Sequence, residues 1–213
     1  MRQDMTILSV LTLPFLLNDF SNIFVTDYRL WLTIDYISVK ALPLVFIALL
    51  LGARKISWAD LGVKPIRVGS FTIWTIVVTS LGTVLDQYGS RFFVALLPDT
   101  RLGGMPPITN RLVYQVDLHF GLMAVAVVEE LIFRGLYFTI LLRHMRTVLG
   151  VFVVSSFAFG LIHWSLGLSA VLHTAIIGAV FMACMWKTRS VLPTVIAHFC
   201  VNYVAFSGIF NKL

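Results

Sequence analysis

Apolar residues along this chain gather into seven long blocks, separated by short stretches rich in basic residues, Pro or Gly. The blocks predict helices at approximately 5–22, 30–51, 69–88, 112–142, 147–164, 169–186 and 191–210. Several are long enough to cross roughly 30 Å of hydrocarbon, which takes about 20 helical residues. The fourth is longer than a crossing needs, so it tilts or begins outside the bilayer. Between the third and fourth, residues 89–111 hold Pro98, Gly103, Gly104, Pro106 and Pro107, which break helices. Arg91 to Leu97, at the start of this stretch, is a candidate short interfacial helix. No repeat or linker divides the chain. The expected fold class is all-α, a polytopic transmembrane bundle of about seven helices.

Composition strengthens that reading. Of 213 residues, 59% are hydrophobic and 12% charged, with mean hydropathy +0.92. Soluble domains are about half apolar and about a quarter charged, so too little polar surface exists here to wrap a water-soluble globule. Arg2 before an apolar run faintly resembles a signal peptide, but Asn18, Asp19 and Phe20 follow in place of a small-residue cleavage site, and a retained first helix is expected. Cys184 and Cys200 lie in apolar segments without metal-type spacing and read as buried free thiols.

The net charge of +6 does not point to nucleic acid, because the basic residues form no stripe. They occupy loops, where Lys and Arg fix topology. Alternating sides from an inside N-terminus places Arg2, Arg54, Lys55, Lys64, Arg67, Arg143, Arg146, Lys187 and Arg189 together. The other side collects Arg29, Arg91, Arg101, Arg111 and Lys212. The excess marks the first side as cytoplasmic. A multi-pass protein of a prokaryotic cell membrane, with its N-terminus inside, is expected.

Ionisable groups inside such helices are functional candidates by default, since each costs several kcal/mol unless paired or solvated. The only two glutamates, Glu129 and Glu130, are adjacent in AVAVVEELIFRGLYF. Arg134 follows Glu130 by four residues on the same helix face, which suggests a structural ion pair. Glu129 is rotated about 100° away and remains the free carboxylate. His163 ends FAFGLIHW in the fifth block, and His198 and Asn202 share a face in VIAHFCVNY of the seventh. Counting about 1.5 Å per residue from the inner helix ends, Glu129, His163 and Asn202 can share a level past the midplane, with His198 about a turn shallower. His173 reads as a core hydrogen-bonding residue; His119 and His144 have no assigned role. Asp35, Asp86 and Asp117 lack the setting of an aspartyl dyad, and neither a zinc His-Glu-x-x-His nor a Gly-x-Ser-Gly occurs.

These residues resemble the three signatures of the CPBP family of glutamic intramembrane proteases, which groups CAAX prenyl endopeptidases with bacteriocin-processing and immunity enzymes. Glu-Glu-x-x-x-Arg stands as Glu129, Glu130 and Arg134. Phe-x-x-x-His stands as Phe159 and His163, and His-x-x-x-Asn as His198 and Asn202. The similarity covers roughly 115–205, dividing the chain into N-terminal transmembrane helices and external loop (1–111) and a catalytic helical core (112–213) within one membrane domain. The resemblance implies an intramembrane endopeptidase acting near the C-terminal tail or leader of a membrane-anchored protein or peptide. Glu129 and His163 would activate water, His198 and Asn202 would form the oxyanion hole, and Glu130, Arg134 and Phe159 would support them. No cofactor is implied. Two alternatives stay open: a metal protease using Glu129, His163 and His198 as ligands, and a non-enzymatic membrane immunity factor, scaffold or proton-coupled carrier. The lipid bilayer is the expected environment, and nucleic acid is not an expected partner.

Overall fold

The computed structural model describes residues 2–209. Residue 210, the expected end of the seventh helix, and Lys212 lie outside them. Among the described residues seven helices follow one another: α1 (Arg2–Phe24), α2 (Tyr28–Gly52), α3 (Val68–Leu96), α4 (111–144), α5 (Val148–Leu161), α6 (Leu168–Thr188) and α7 (Leu192–Ser207). The fold is the all-helical bundle that the hydrophobic blocks predict. Four helices, α1, α2, α3 and α6, are long and apolar enough to cross a membrane, and α5 and α7 are shorter apolar helices.

Local chemistry sets the helix ends. Asp27 caps α2 by accepting from the backbone N–H groups of Arg29 and Leu30, and Asn110 caps α4 through Val113. Such caps satisfy donors that a helix start otherwise leaves unpaired. Ser90–Leu96 is the last stretch of α3, joined through a wide π turn at Leu85–Gly89, so the expected interfacial segment is a continuation of that helix. Further π turns occur at Tyr36–Ala41 in α2 and at Asp117–Gly121 and Glu130–Leu136 in α4.

The centre of the bundle is α4. From Val128 to Phe138 every residue is buried, because α4 packs against α1, α5, α6 and α7 together. By contrast α3 keeps much apolar surface outward, including Ile73, Ile76, Leu81 and Val84. In a membrane that surface meets lipid tails, which are as apolar as the side chains themselves. The closest packing joins α5 to α6, where a Cβ added at Gly160 would lie 2.4 Å from the carbonyl oxygen of Val171.

The loops sort by end. Arg143 pairs with Asp60 and His144 with Asp4, while Val191 N–H donates to Gly62 O at 2.9 Å. The N-terminus and the three most basic loops therefore share one end of the bundle, as alternation requires. Cys184 and Cys200 are free thiols, the first buried and the second half-buried.

Packing at Gly160 leads to a stability test. Gly160→Ala forces a backbone shift and is expected to cost about 1–3 kcal/mol, the usual range for overpacking. Gly69→Ala meets nothing within 4 Å and is expected to be neutral or slightly stabilising, since Ala is the better helix former by about 1 kcal/mol. Thermal unfolding of both variants in one detergent checks the contrast, and equal midpoints would contradict it.

Candidate active site

Glu130 is fully buried at the first residue of the π turn in α4, and two cations or potential cations converge on it. The Nη1 of Arg134 lies 3.1 Å from its Oε1, and the Nδ1 of His198, from α7, lies 2.8 Å from the same oxygen. The expected Glu130–Arg134 pair is present. The tie from Glu130 to His198 is a contact that helix periodicity within one segment does not show.

Arg134 is 1% exposed, and neither of its Nη nitrogens makes a well-aligned hydrogen bond among the described residues. Its charge lies against aromatic faces instead: the guanidinium carbon sits 3.9 Å from the ring centre of Phe159 and 5.2 Å from that of Phe181. A desolvated cation over a ring gains about 2 kcal/mol or more. Phe159 thus supports Arg134 directly, and its ring also stands edge-on to His163 (5.4 Å) and His198 (6.0 Å).

Glu129, the last residue before the π turn, is 6% exposed and faces the cavity. The Nε2 of His198 is 3.6 Å from its Oε2, too far for a hydrogen bond in this state. His198 therefore bridges the two glutamates, with Nδ1 committed to Glu130 and Nε2 turned toward Glu129.

His163 was expected inside the fifth helix, but α5 ends two residues earlier, at Leu161. The ring occupies the following turn (φ −109°, ψ 25°), with its Nδ1 3.1 Å from the carbonyl of Phe159. Tertiary hydrogen bonds hold the turn open. Trp164 Nε1 donates to Leu16 O at 3.0 Å, and Ser165 N–H donates to Asp19 at 2.8 Å. Gly167 then takes φ 93°, a left-handed conformation that favours glycine.

A cavity of about 670 Å³ is lined by all four residues expected to be catalytic, Glu129, His163, His198 and Asn202. Phe159 lines it too, whereas Glu130 and Arg134 lie behind the wall. The His198 contact also shows that the helix ends are not level. Glu129 stands about 22 Å from the basic end of α4 and His198 about 9 Å from that of α7, at 1.5 Å per residue, yet their side chains meet. Among the described residues, no group of three or more His, Cys, Asp or Glu is arranged to hold a metal ion.

Several lining residues escaped the sequence reading. Asp19, Asn22, Trp31 and Lys40 come from α1 and α2, and Met105 to Ile108 from the loop before α4. That loop is tied down by Leu102 N–H to Ser165 O (2.9 Å) and Gly104 N–H to Asn22 O (3.0 Å). Lys40 carried a usable signal, an ammonium in an apolar helix. His173 lines the cavity as well, with its Nδ1 3.0 Å from Ser169 O. Asp35 and Asp117 are engaged by Lys40 and Tyr36.

Residues 113–204 match the family model described as Type II CAAX prenyl endopeptidase Rce1-like. The match spans α4 to α7 and takes in all seven motif residues, so this segment is similar to the membrane endopeptidases that the description names. That description is one of peptide hydrolases, and the long apolar helices are those of a multi-pass membrane protein. No curated protein and no solved structure matches the chain.

The Glu130 junction yields a second prediction. Glu130→Gln leaves Arg134 without a counter-charge and loosens His198, and breaking such a buried pair costs about 3–5 kcal/mol. The variant is expected to unfold at a clearly lower temperature than Glu129→Gln, which removes no ion pair with Arg134. A Glu130→Gln protein as stable as wild type would show that the pair does not hold the bundle together.

Proposed function

We propose that the chain is a glutamic intramembrane endopeptidase that cleaves near the C-terminal tail or leader of a membrane-anchored protein or peptide. The observation that carries this reading is the division of labour between adjacent glutamates. Glu130 is occupied by Arg134 and His198, while Glu129 faces a cavity shared with His163, His198 and Asn202.

In this reading Glu129 and the ring of His163 hold a water molecule, and Glu129 removes its proton as the oxygen attacks the scissile carbonyl. His163 has its Nδ1 turned to a backbone carbonyl, which leaves Nε2 for the water. The proton passes from Glu129 to the leaving amine. The oxyanion that forms takes hydrogen bonds from Asn202 Nδ2 and His198 Nε2. Donation from Nε2 while Nδ1 also donates to Glu130 requires the imidazolium. Two carboxylates, one guanidinium and one imidazolium then sum to zero, a balance suited to low dielectric. Each oxyanion donor is worth about 3–4 kcal/mol in a water-excluded site.

The mostly apolar cavity favours an apolar, extended stretch of substrate, whose backbone leaves the hydrogen bonds of a helix before it reaches Glu129. The collection of basic loops at one end supports a cytoplasmic N-terminus in a prokaryotic cell membrane.

Glu129→Gln is expected to fold and insert normally and to lose cleavage entirely, because the amide keeps the shape but takes no proton. Profiling of membrane-protein termini in cells carrying wild type or Glu129→Gln identifies the cleaved protein and tests the assignment. Identical terminal profiles in the two strains would remove it.

With a peptide spanning that cleavage, His198→Ala and Asn202→Ala are expected to lower kcat by about a hundredfold or more each, with KM little changed, since oxyanion contacts form only in the transition state. A loss confined to KM would instead place both side chains in substrate binding.

A further inference from the structure

The cavity wall carries polar groups beyond the catalytic set. Side chains of α6 and α7 bring Ile177, Phe181, Val201 and Phe206 to it beside His198 and Asn202. From α1, α2 and the first half of α4 come Asn18, Asp19, Asp35, Lys40 and Asp117, none of which the hydrolytic steps above use. All but Asp19, which is held by Asn22 and the Ser165 N–H, are joined to one another. Asp35 and Lys40 form a buried ion pair, and the Lys40 ammonium lies 4.3 Å from the ring centre of Tyr36. The Tyr36 hydroxyl donates to Asp117 at 2.9 Å. Ser38 donates to Asn18 Oδ1 at 2.6 Å, and the Asn18 amide reaches Asp35 at 3.5 Å.

Ion pairing alone does not account for this lining. Among the described residues, five carboxylates face the cavity (Asp19, Asp35, Asp86, Asp117 and Glu129), against one ammonium, that of Lys40. Within a membrane, groups left over by such pairing are tolerated where they meet a water-filled space. A volume of about 670 Å³ has room for on the order of twenty waters at about 30 Å³ each. The π turn Tyr36–Ala41, which carries Lys40, packs against Leu122–Glu129, the stretch of α4 that ends in the free glutamate.

We propose that the polar lining built by α1, α2 and the first half of α4 holds a standing body of water beside Glu129, kept in place by the Asp35–Lys40 pair, and supplies the water that hydrolysis consumes. The hydration stands on the lining alone; its catalytic use rests on the proteolytic reading above. It gives the first two helices, which lie outside the family-matched segment, a part in the reaction.

The test reads water directly. In a chain lacking Cys184 and Cys200, a cysteine is placed at Val125, which lines the cavity one turn before Glu129. A small methanethiosulfonate reagent labels it only as the hydrated thiolate. Two pair replacements are compared in vesicles: Asp35→Leu with Lys40→Met, and Asp35→Asn with Lys40→Gln. Apolar replacement of a buried pair is often neutral for stability, and thermal unfolding confirms that each protein is folded.

Rapid labelling of the parent is expected, with the Asn/Gln pair within about threefold of it and the Leu/Met pair at least tenfold slower. Peptide cleavage follows the same order. Absent labelling in the parent, or equal slowing by both replacements, would overturn the proposal, the latter by reducing the pair to a structural tie. The expected labelling order without peptide cleavage in the parent would establish the hydrated lining and defeat the proteolytic reading alone.

Discussion

Two carboxylates on consecutive residues of a membrane helix set the terms for everything packed around them. Glu130 is fully buried, and the cost of an unpaired charge at that depth is several kcal/mol. Its neutralisation draws on four helices at once. Arg134 comes from the next turn of α4, His198 from α7, and the faces of Phe159 and Phe181 from α5 and α6 receive the guanidinium. Gly178 of α6 leaves the space in which Phe159 and Arg134 meet: a Cβ there would lie 3.1 Å from the phenylalanine ring and 3.6 Å from Nη2. The same contacts that neutralise one glutamate orient His198 toward the other. Charge balance and site assembly are one set of contacts.

The helix count was legible because a membrane crossing demands a long apolar run, and such runs survive any detail of packing. Caps at Asp27 and Asn110 sharpen two of the starts. The four π turns were not legible: each adds a residue to a turn without changing hydropathy, so the pattern of apolar positions carries no trace of it. They matter nonetheless, since the turn at Glu130–Leu136 contains the ion pair. The Glu130–Arg134 contact was readable from spacing. The bond from Glu130 to His198 was not, because it joins residues 68 apart in the chain.

Two expectations failed for tertiary reasons. His163 lies beyond the end of α5 because the chain there is drawn off by Leu16 and Asp19 of α1, groups a local pattern cannot weigh against helix propensity. The depth scale placed His198 a turn away from Glu129, whereas the two side chains meet. That scale assumed that helices end in a common plane, and α4 instead projects past the start of α7. The polar lining from α1 and α2 leaves only a faint trace in the sequence, two opposite charges, Asp35 and Lys40, within one apolar run. They stand five residues apart, and the π turn at Tyr36–Ala41 brings them onto one face.

The pinning of the Trp164–Ser165 turn to α1 has an evolutionary consequence. The segment that carries the family motifs does not determine the pose of its own histidine, because Leu16 and Asp19, far upstream, hold the turn from outside. Motif residues can therefore persist unchanged while drift in the first helix swings His163 relative to Glu129. Among related chains, the partners of Ser165 and Trp164 would have to vary in concert with that turn. A graft of α4 to α7 onto another set of leading helices would inherit the motif residues without their alignment.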